Sequence, residues 1–210
     1  MSRPLVVDLD SLSGEPFSIP GGSDPVESAQ VWRDPDTRYF ASLVRFPSGW
    51  SRPETGFYVS GEEFVVLEGA IDLSGVRVEA GQYAQADPGF VRYDTRADGC
   101  VTFAWFNGPA RWVTDAAAPL AAELLVVDAS DTGDAESPFG ARGRRLFGDH
   151  QVSTWLLGDA VDLRAGEGFI QALSVPDRRF AHLSVGQTLD SPLTPPVILR
   201  VGRTSPEAPA

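Results

Sequence analysis

Apolar and polar positions alternate in short runs along most of the chain, and nearly every run is closed by Gly, Pro, Asp or Ser. A period of two with frequent breakers is the pattern of an all-β sandwich or barrel. In the first part of the chain it predicts strands over residues 5–8, 38–46, 57–60, 63–67, 70–73, 76–79, 82–85 and 100–106. Turns are expected at Asp34-Pro-Asp, Pro47-Ser-Gly, Ser60-Gly, Ser74-Gly, Ala80-Gly and Asp87-Pro-Gly, each offering the backbone freedom a reversal needs. The one helical candidate, residues 115–125, is Ala-rich and interrupted by Pro119.

A polar, breaker-rich stretch at residues 129–140 separates this block from a second one. Strands are expected there over 144–147, 151–157, 160–163, 169–175, 179–185 and 196–201. The organisation that follows is a β module with an N-terminal arm over 1–113, a linker over 114–140, a shorter β-rich module over 141–203 and a frayed tail over 204–210. Both blocks carry a turn-then-strand phrase, Gly61-Glu-Glu-Phe-Val-Val-Leu and Gly166-Glu-Gly-Phe-Ile-Gln-Ala-Leu. A degenerate repeat is one reading of that pair; coincidence is the other.

Composition narrows the chemistry. The 210 residues are 42% hydrophobic, enough for a core. Against 29 acidic residues stand 17 basic ones, for a net charge of −12. Such a field repels phosphate backbones, so no nucleic-acid partner is expected. No run is apolar enough for a membrane span and no signal peptide is visible, so a cytoplasmic location and no membrane partner are expected. All the basic residues are Arg, which removes Schiff-base lysine chemistry and Walker-type phosphate loops. Cys100 is the single cysteine, which excludes intrachain disulfides and cysteine-clustered zinc. His150 and His182 are the two histidines, so one chain cannot build a three-histidine site.

The order of landmarks from Arg45 to Phe106 carries a resemblance. It runs Pro47-Ser-Gly49, Pro53, Gly61-Glu62-Glu63-Phe-Val-Val-Leu-Glu-Gly69, Gly81-Gln-Tyr-Ala-Gln-Ala-Asp-Pro88-Gly89 and Gly99-Cys100. This order resembles the cupin family, whose fold is a small β jelly roll. The phrase from Val31 to Phe46 looks like the lead-in of the branch holding ChrR-like anti-sigma sensor domains and acetylacetone-dioxygenase-like cupins. The resemblance covers about residues 30–107 and implies a cupin-type jelly roll followed by a second module, itself a degenerate cupin or not.

The resemblance also implies a metal site of three histidines and a glutamate, and here this chain departs. The first two histidine positions fall on Thr55 and Phe57, or on Gly56 and Tyr58 if the spacing is one shorter, and the third on Arg92 or Tyr93. Glu62 remains at the glutamate position. A lone carboxylate is a poor transition-metal site, so no metal and no cofactor is expected.

Glu62 and Tyr93 are then the candidate catalytic pair, since a carboxylate in an apolar barrel suits general acid–base work. Arg45 and Arg92 are candidates to hold a ligand carboxylate or to pair with Glu62. Tyr58, Tyr83 and Trp105 offer polar donors and flat walls. Each has a plainer reading: Glu62 as a buried relic paired to Arg, Trp105 and Phe103 as core, Cys100 as a small apolar residue and His182 as an ordinary strand histidine. His150 reads as a turn residue, and no G-x-S-x-G supports serine hydrolysis.

Three functions stay open. The first is a metal-free isomerase, cyclase or lyase moving a proton on a small organic molecule. The second is a non-catalytic ligand sensor or regulator. The third, ranked last, is a dioxygenase or zinc sensor with a metal held by Glu62, Glu54 and Tyr93. A homodimer is one expectation, because jelly-roll edges and outer faces need cover, and a monomer whose second block covers that face within the chain is the other.

Overall fold

The computed structural model describes residues 3–114, 122–148, 152–166 and 168–203. It divides into two compact units: Leu12–Asp128, and Met1–Ser11 together with Ala129–Ala210. His150 and most of the expected helix, residues 115–121, lie outside the described residues.

In chain order the strands are β1 (Leu5–Asp8), β2 (Glu15–Phe17), β3 (Val26–Arg33), β4 (Phe40–Arg45), β5 (Trp50–Arg52) and β6 (Phe57–Tyr58). Next come β7 (Glu62–Leu73), β8 (Val76–Glu79), β9 (Gln82–Ala86), β10 (Thr95–Phe106), β11 (Trp112–Val113) and β12 (Leu124–Asp128). The last six are β13 (Ala135–Glu136), β14 (Arg142–Gly148), β15 (Val152–Leu157), β16 (Gly168–Ser174), β17 (Arg179–Leu183) and β18 (Val197–Arg203). The fold is all-β.

The Leu12–Asp128 unit is built on a nine-stranded sheet in the order β12-β9-β7-β10-β4-β3-β2, with β5 added to β10 and β8 to β7. A two-stranded ribbon, β11-β6, completes it. The long strands β7 and β10 form its spine. Phe106 pairs with Glu62, Ala104 with Phe64 and Thr102 with Val66. Directly opposed residues share a face and successive residues alternate faces, so this register sorts the side chains into two sets. Phe64, Val66, Ala104 and Phe106 pack inward with Trp50, Ile71 and Leu73. Glu63, Val65, Phe103 and Trp105 are buried on the opposite face.

Residues 63–67 and 70–73, expected as separate strands, belong to the single strand β7. The break in the hydrophobic pattern between them is a bulge, where the β7–β10 register shifts between Asp98 and Val101. Gly69 sits in it at φ +65°, and a Cβ there would come within 2.7 Å of the Gly99 carbonyl oxygen and 2.8 Å of that of Asp98. Glycine is required at this position by both conformation and contact.

The other unit is a seven-stranded antiparallel sheet in the order β1-β17-β16-β18-β15-β14-β13. Its core gathers Leu157, Leu163, Ile170, Ala172, Leu183 and Leu199. Three sequence expectations differ from the structure. Strand β1, assigned to the first module, pairs with β17, Leu5 opposite His182. The expected linker holds β12, which extends the nine-stranded sheet beside β9, so Leu124 and Leu125 are strand rather than helix. Residues 160–163 form no strand, and the expected tail, 204–210, lies outside the described residues. Strands β2, β3, β5 and β11 went unread because they are short or interrupted by polar residues, and neighbouring strands supply their hydrogen bonds.

Candidate functional site

The inward face of the Leu12–Asp128 unit surrounds a cavity of about 860 Å³, at the upper end of the range of small-molecule sites. Its walls are apolar for the most part: Phe40, Val44, Phe46, Trp50, Phe64, Ile71, Leu73, Ala104 and Phe106. Phe40 and Phe106 stack with ring centroids 5.0 Å apart, and Tyr58 meets Phe106 edge-on at 5.2 Å.

Into this wall the chain sets a compact polar cluster. Glu62 begins β7, and Arg92 lies on the segment bridged to Gly56 by a pair of backbone hydrogen bonds. Arg92 Nη2 donates to Glu62 Oε2 at 2.5 Å, and the two side chains are 7% and 12% exposed. Arg52, at the end of β5, is opposite Thr95 at the start of β10. Its Nη1 donates to Tyr58 Oη at 3.3 Å, and its guanidinium lies 3.7 Å from the Trp112 ring centroid. The Arg92 guanidinium faces the Tyr58 ring at 4.9 Å. Tyr58 is thus flanked by two cations.

Arg52 is 2% exposed, and no carboxylate pairs with it among the described residues. Burial pulls its guanidinium below the ordinary value; Tyr58 offsets part of this and the Arg92 charge adds to it. Arg52 Nε, Arg92 Nε and Thr95 Oγ1 are buried without hydrogen-bond partners. Farther out, the exposed Arg33, Arg38 and Arg111 also line the cavity.

Of the sequence candidates, Glu62, Arg92 and Tyr58 come together here. The other four lie elsewhere, and alternation along the strands is the reason. Tyr83 opposes Val65 on the outer face, where its hydroxyl donates to buried Glu63 Oε2 at 2.7 Å. Trp105 opposes Glu63 on that same face and is fully buried. Arg45 follows inward Val44 and pairs with Glu27 at 3.0 Å in a half-exposed ion pair. Tyr93 follows inward Arg92 and is 50% exposed. A parity count from Glu62 and its register would have sorted Tyr83 and Trp105. Arg52 and Trp112 were missed because their short strands carry no periodic signal, and Thr95 because it precedes the run 100–106 that the pattern predicts. Glu54, offered as a metal ligand, instead accepts a hydrogen bond from Trp112 Nε1 at 3.0 Å.

The inward parity also bears on the two alignments that the resemblance allows for the histidine positions. Tyr58, Arg92 and Glu62 line the cavity while Thr55, Phe57 and Tyr93 do not, which fits the alignment on Gly56 and Tyr58 better than that on Thr55 and Phe57. The donor set does not fit a metal. A guanidinium has no lone pair to donate and a second one stands nearby, so a cation would meet two positive charges and one carboxylate already engaged. No cluster of three or more potential metal-ligating side chains occurs among the described residues.

Outside the barrel, Arg200 donates to Gln171 at 3.1 Å, and Gln171 approaches His182 Nδ1 at 3.5 Å. Arg200 and Gln171 are buried and His182 partly so, in a polar row across β18, β16 and β17 of the other unit. Cys100 is buried, and burial pushes its thiol up to about 12, which leaves it unreactive as a nucleophile at neutral pH. No described helix is long and apolar enough to cross a membrane.

Similarity to solved structures supports the fold. A dioxygenase candidate from Nostoc punctiforme matches 98% of this chain and 85% of its own, with a TM-score of 0.76 at 15% identity. The protein Ylba from E. coli matches 99% of this chain and 93% of its own, with a TM-score of 0.58 at 12% identity. A cupin 2 conserved barrel domain protein from Leptotrichia buccalis matches 98% of this chain and 93% of its own, with a TM-score of 0.51 at 9% identity. No family model and no curated protein matches the sequence. The fold is therefore of the cupin type.

Proposed function

We propose that the Leu12–Asp128 barrel binds a small organic molecule in its cavity and moves a proton on it without a metal, as an isomerase, cyclase or lyase. The placement of Glu62 carries this reading: a carboxylate at the cavity wall, oriented by Arg92, with apolar walls on which an organic body can pack. In that role Glu62 takes a proton from one atom of the bound molecule and returns it to another. Tyr58 receives its hydrogen bond from Arg52, so its own hydroxyl hydrogen is left to donate to oxygen charge that develops on the substrate. The motif order from Val31 to Gly99 supports descent from the branch of ChrR-like sensors and acetylacetone-dioxygenase-like cupins, with the ligand set replaced.

A second reading has its own observation. The ion pair engages one oxygen of Glu62, as a purely structural tie would, and fits a non-catalytic binding or regulatory barrel. Proton exchange separates the two. Small carbonyl compounds incubated with the protein in deuterium oxide are followed by proton NMR. Proton transfer predicts deuterium wash-in that Glu62→Gln abolishes while binding persists. Binding by the wild type with no wash-in assigns the cavity to the second reading.

A further inference from the structure

We infer that the cavity's ligand is an organic carboxylate, its charged head held by Arg52, Arg92 and Thr95 and its apolar body lying against the Phe64 and Phe106 side. This rests on the reading of the cavity as a small-molecule site and names the class of molecule it takes. The starting observation is a charge imbalance. Two buried guanidiniums, Arg52 and Arg92, share one carboxylate, Glu62, among the described residues. A buried charge without a counter-charge costs several kcal/mol, so a fold retains one where something else supplies the balance.

The donors point to the same conclusion. Arg52 Nε, Arg92 Nε and Thr95 Oγ1 are buried and unpartnered, and all three residues line the cavity. Buried donors are nearly always satisfied, and a cluster of orphans beside a cavity marks where a ligand's acceptors go. The flanking rings fix both guanidiniums in place, Arg52 against Trp112 and Arg92 against Tyr58, so little side-chain entropy remains to be lost on binding. A singly charged head matches the single excess charge of this buried cluster. The apolar walls exclude a bare inorganic anion as the best-fitting occupant, because nothing would then cover them.

The rim acts at longer range. Arg33, Arg38 and Arg111 line the cavity with a single exposed carboxylate, Glu15, in a chain whose net charge is −12, so the cavity is a local positive region on a negative molecule. Such a field gathers anions in salt-dependent fashion.

The test uses the full chain and matched probes: phenylacetate, 4-phenylbutyrate and octanoate, each beside its neutral primary amide, with inorganic phosphate as a head-only control. Titration calorimetry is expected to show the carboxylates binding at least about tenfold more tightly than their amides. Added salt is expected to weaken the carboxylates alone. Arg52→Gln is expected to erase the preference while amide binding holds. Arg52→Lys keeps the charge but loses the Nε donor and is expected to bind carboxylates several-fold more weakly, which carries the test if Arg52→Gln does not fold. Amides binding as tightly as acids, or a preference untouched by both variants, overturn the anion inference and leave the small-molecule site standing. Phosphate binding as tightly as the carboxylates overturns the organic part. Binding of no probe by the wild type overturns the small-molecule reading and this inference together.

Discussion

Arg92 Nη2 and Glu62 Oε2 meet at 2.5 Å although thirty residues separate them in sequence. The cupin resemblance implies a metal ligand at Glu62 and another at Arg92 or Tyr93, and here the Arg92 guanidinium neutralises the carboxylate. A guanidinium fixed in the wall is a charge partner and hydrogen-bond donor but no Lewis acid, which fits the metal-free proton transfer proposed above. Elemental analysis of the purified protein checks this, with no stoichiometric transition metal as the expected result.

Glu62→Gln keeps the side-chain shape and leaves an amide oxygen for Arg92, but removes the charge that balances it. We expect a loss of about 1–3 kcal/mol in urea unfolding with the β-sheet spectrum intact. If Glu62 moves a proton, the rate falls about 10²–10⁴-fold. A variant as stable as the wild type would show that the ion pair contributes nothing to the fold.

Arg52→Met replaces a buried, unbalanced cation with an apolar chain of similar length against Trp112 and Tyr58. Removal of an uncompensated charge of this kind is expected to raise stability by about 1–2 kcal/mol in the absence of ligand. The same substitution removes carboxylate binding, a trade of function for stability that melting curves with and without 4-phenylbutyrate will show. Destabilisation in the ligand-free protein would mean that the ring contacts outweigh the charge penalty.

Tyr83→Phe tests the opposite face of the sheet. It deletes the hydroxyl that reaches Glu63 at 2.7 Å in a fully buried setting. The cost is expected to be about 1–3 kcal/mol. Ligand affinity is expected to stay unchanged, because Tyr83 does not line the cavity. Titration of the variant with the carboxylate probes makes the comparison.

Cys100 adds a pH dependence. Its thiol is pushed up to about 12 by burial, from an ordinary value of 9.0 in the unfolded chain. Between these values the unfolded state binds fewer protons than the folded one, so stability falls as pH rises. The contribution is complete below about pH 9 and is lost progressively toward pH 12. Cys100→Ala is expected to flatten that part of the alkaline stability profile, and native protein at pH 8 is expected to resist iodoacetamide until it unfolds.

Turn chemistry was legible locally. Asp34 Oδ1 accepts from the backbone N–H groups of Asp36 and Thr37, as the Asp34-Pro-Asp phrase predicts, and the Phe90 N–H closes the Asp87-Pro-Gly89 turn on the Asp87 carbonyl. Gly69 was legible as a landmark, though its cause, the close approach of Asp98 and Gly99, belongs to a bulge between distant strands. At Leu124 and Leu125 the helical expectation misled, because the preceding alanines favour a helix locally while these two residues are held by hydrogen bonds to β9.

By itself the amino-acid sequence determined the all-β class, through its period-two pattern and breakers, and limited the chemistry, because the absence of lysine and the shortage of histidine and cysteine are absolute. It also placed Glu62 just before an expected strand in a recognisable order of landmarks. Tertiary structure alone decided which tyrosines and arginines face the cavity. A side chain's face follows from strand parity and cross-strand register, and register depends on partners dozens of residues away. That is why Tyr58 and Arg92 lie beside Glu62 while Tyr93, Tyr83, Trp105 and Arg45 do not. It is also why Arg52, on a three-residue strand with no pattern of its own, stands at the centre of the site.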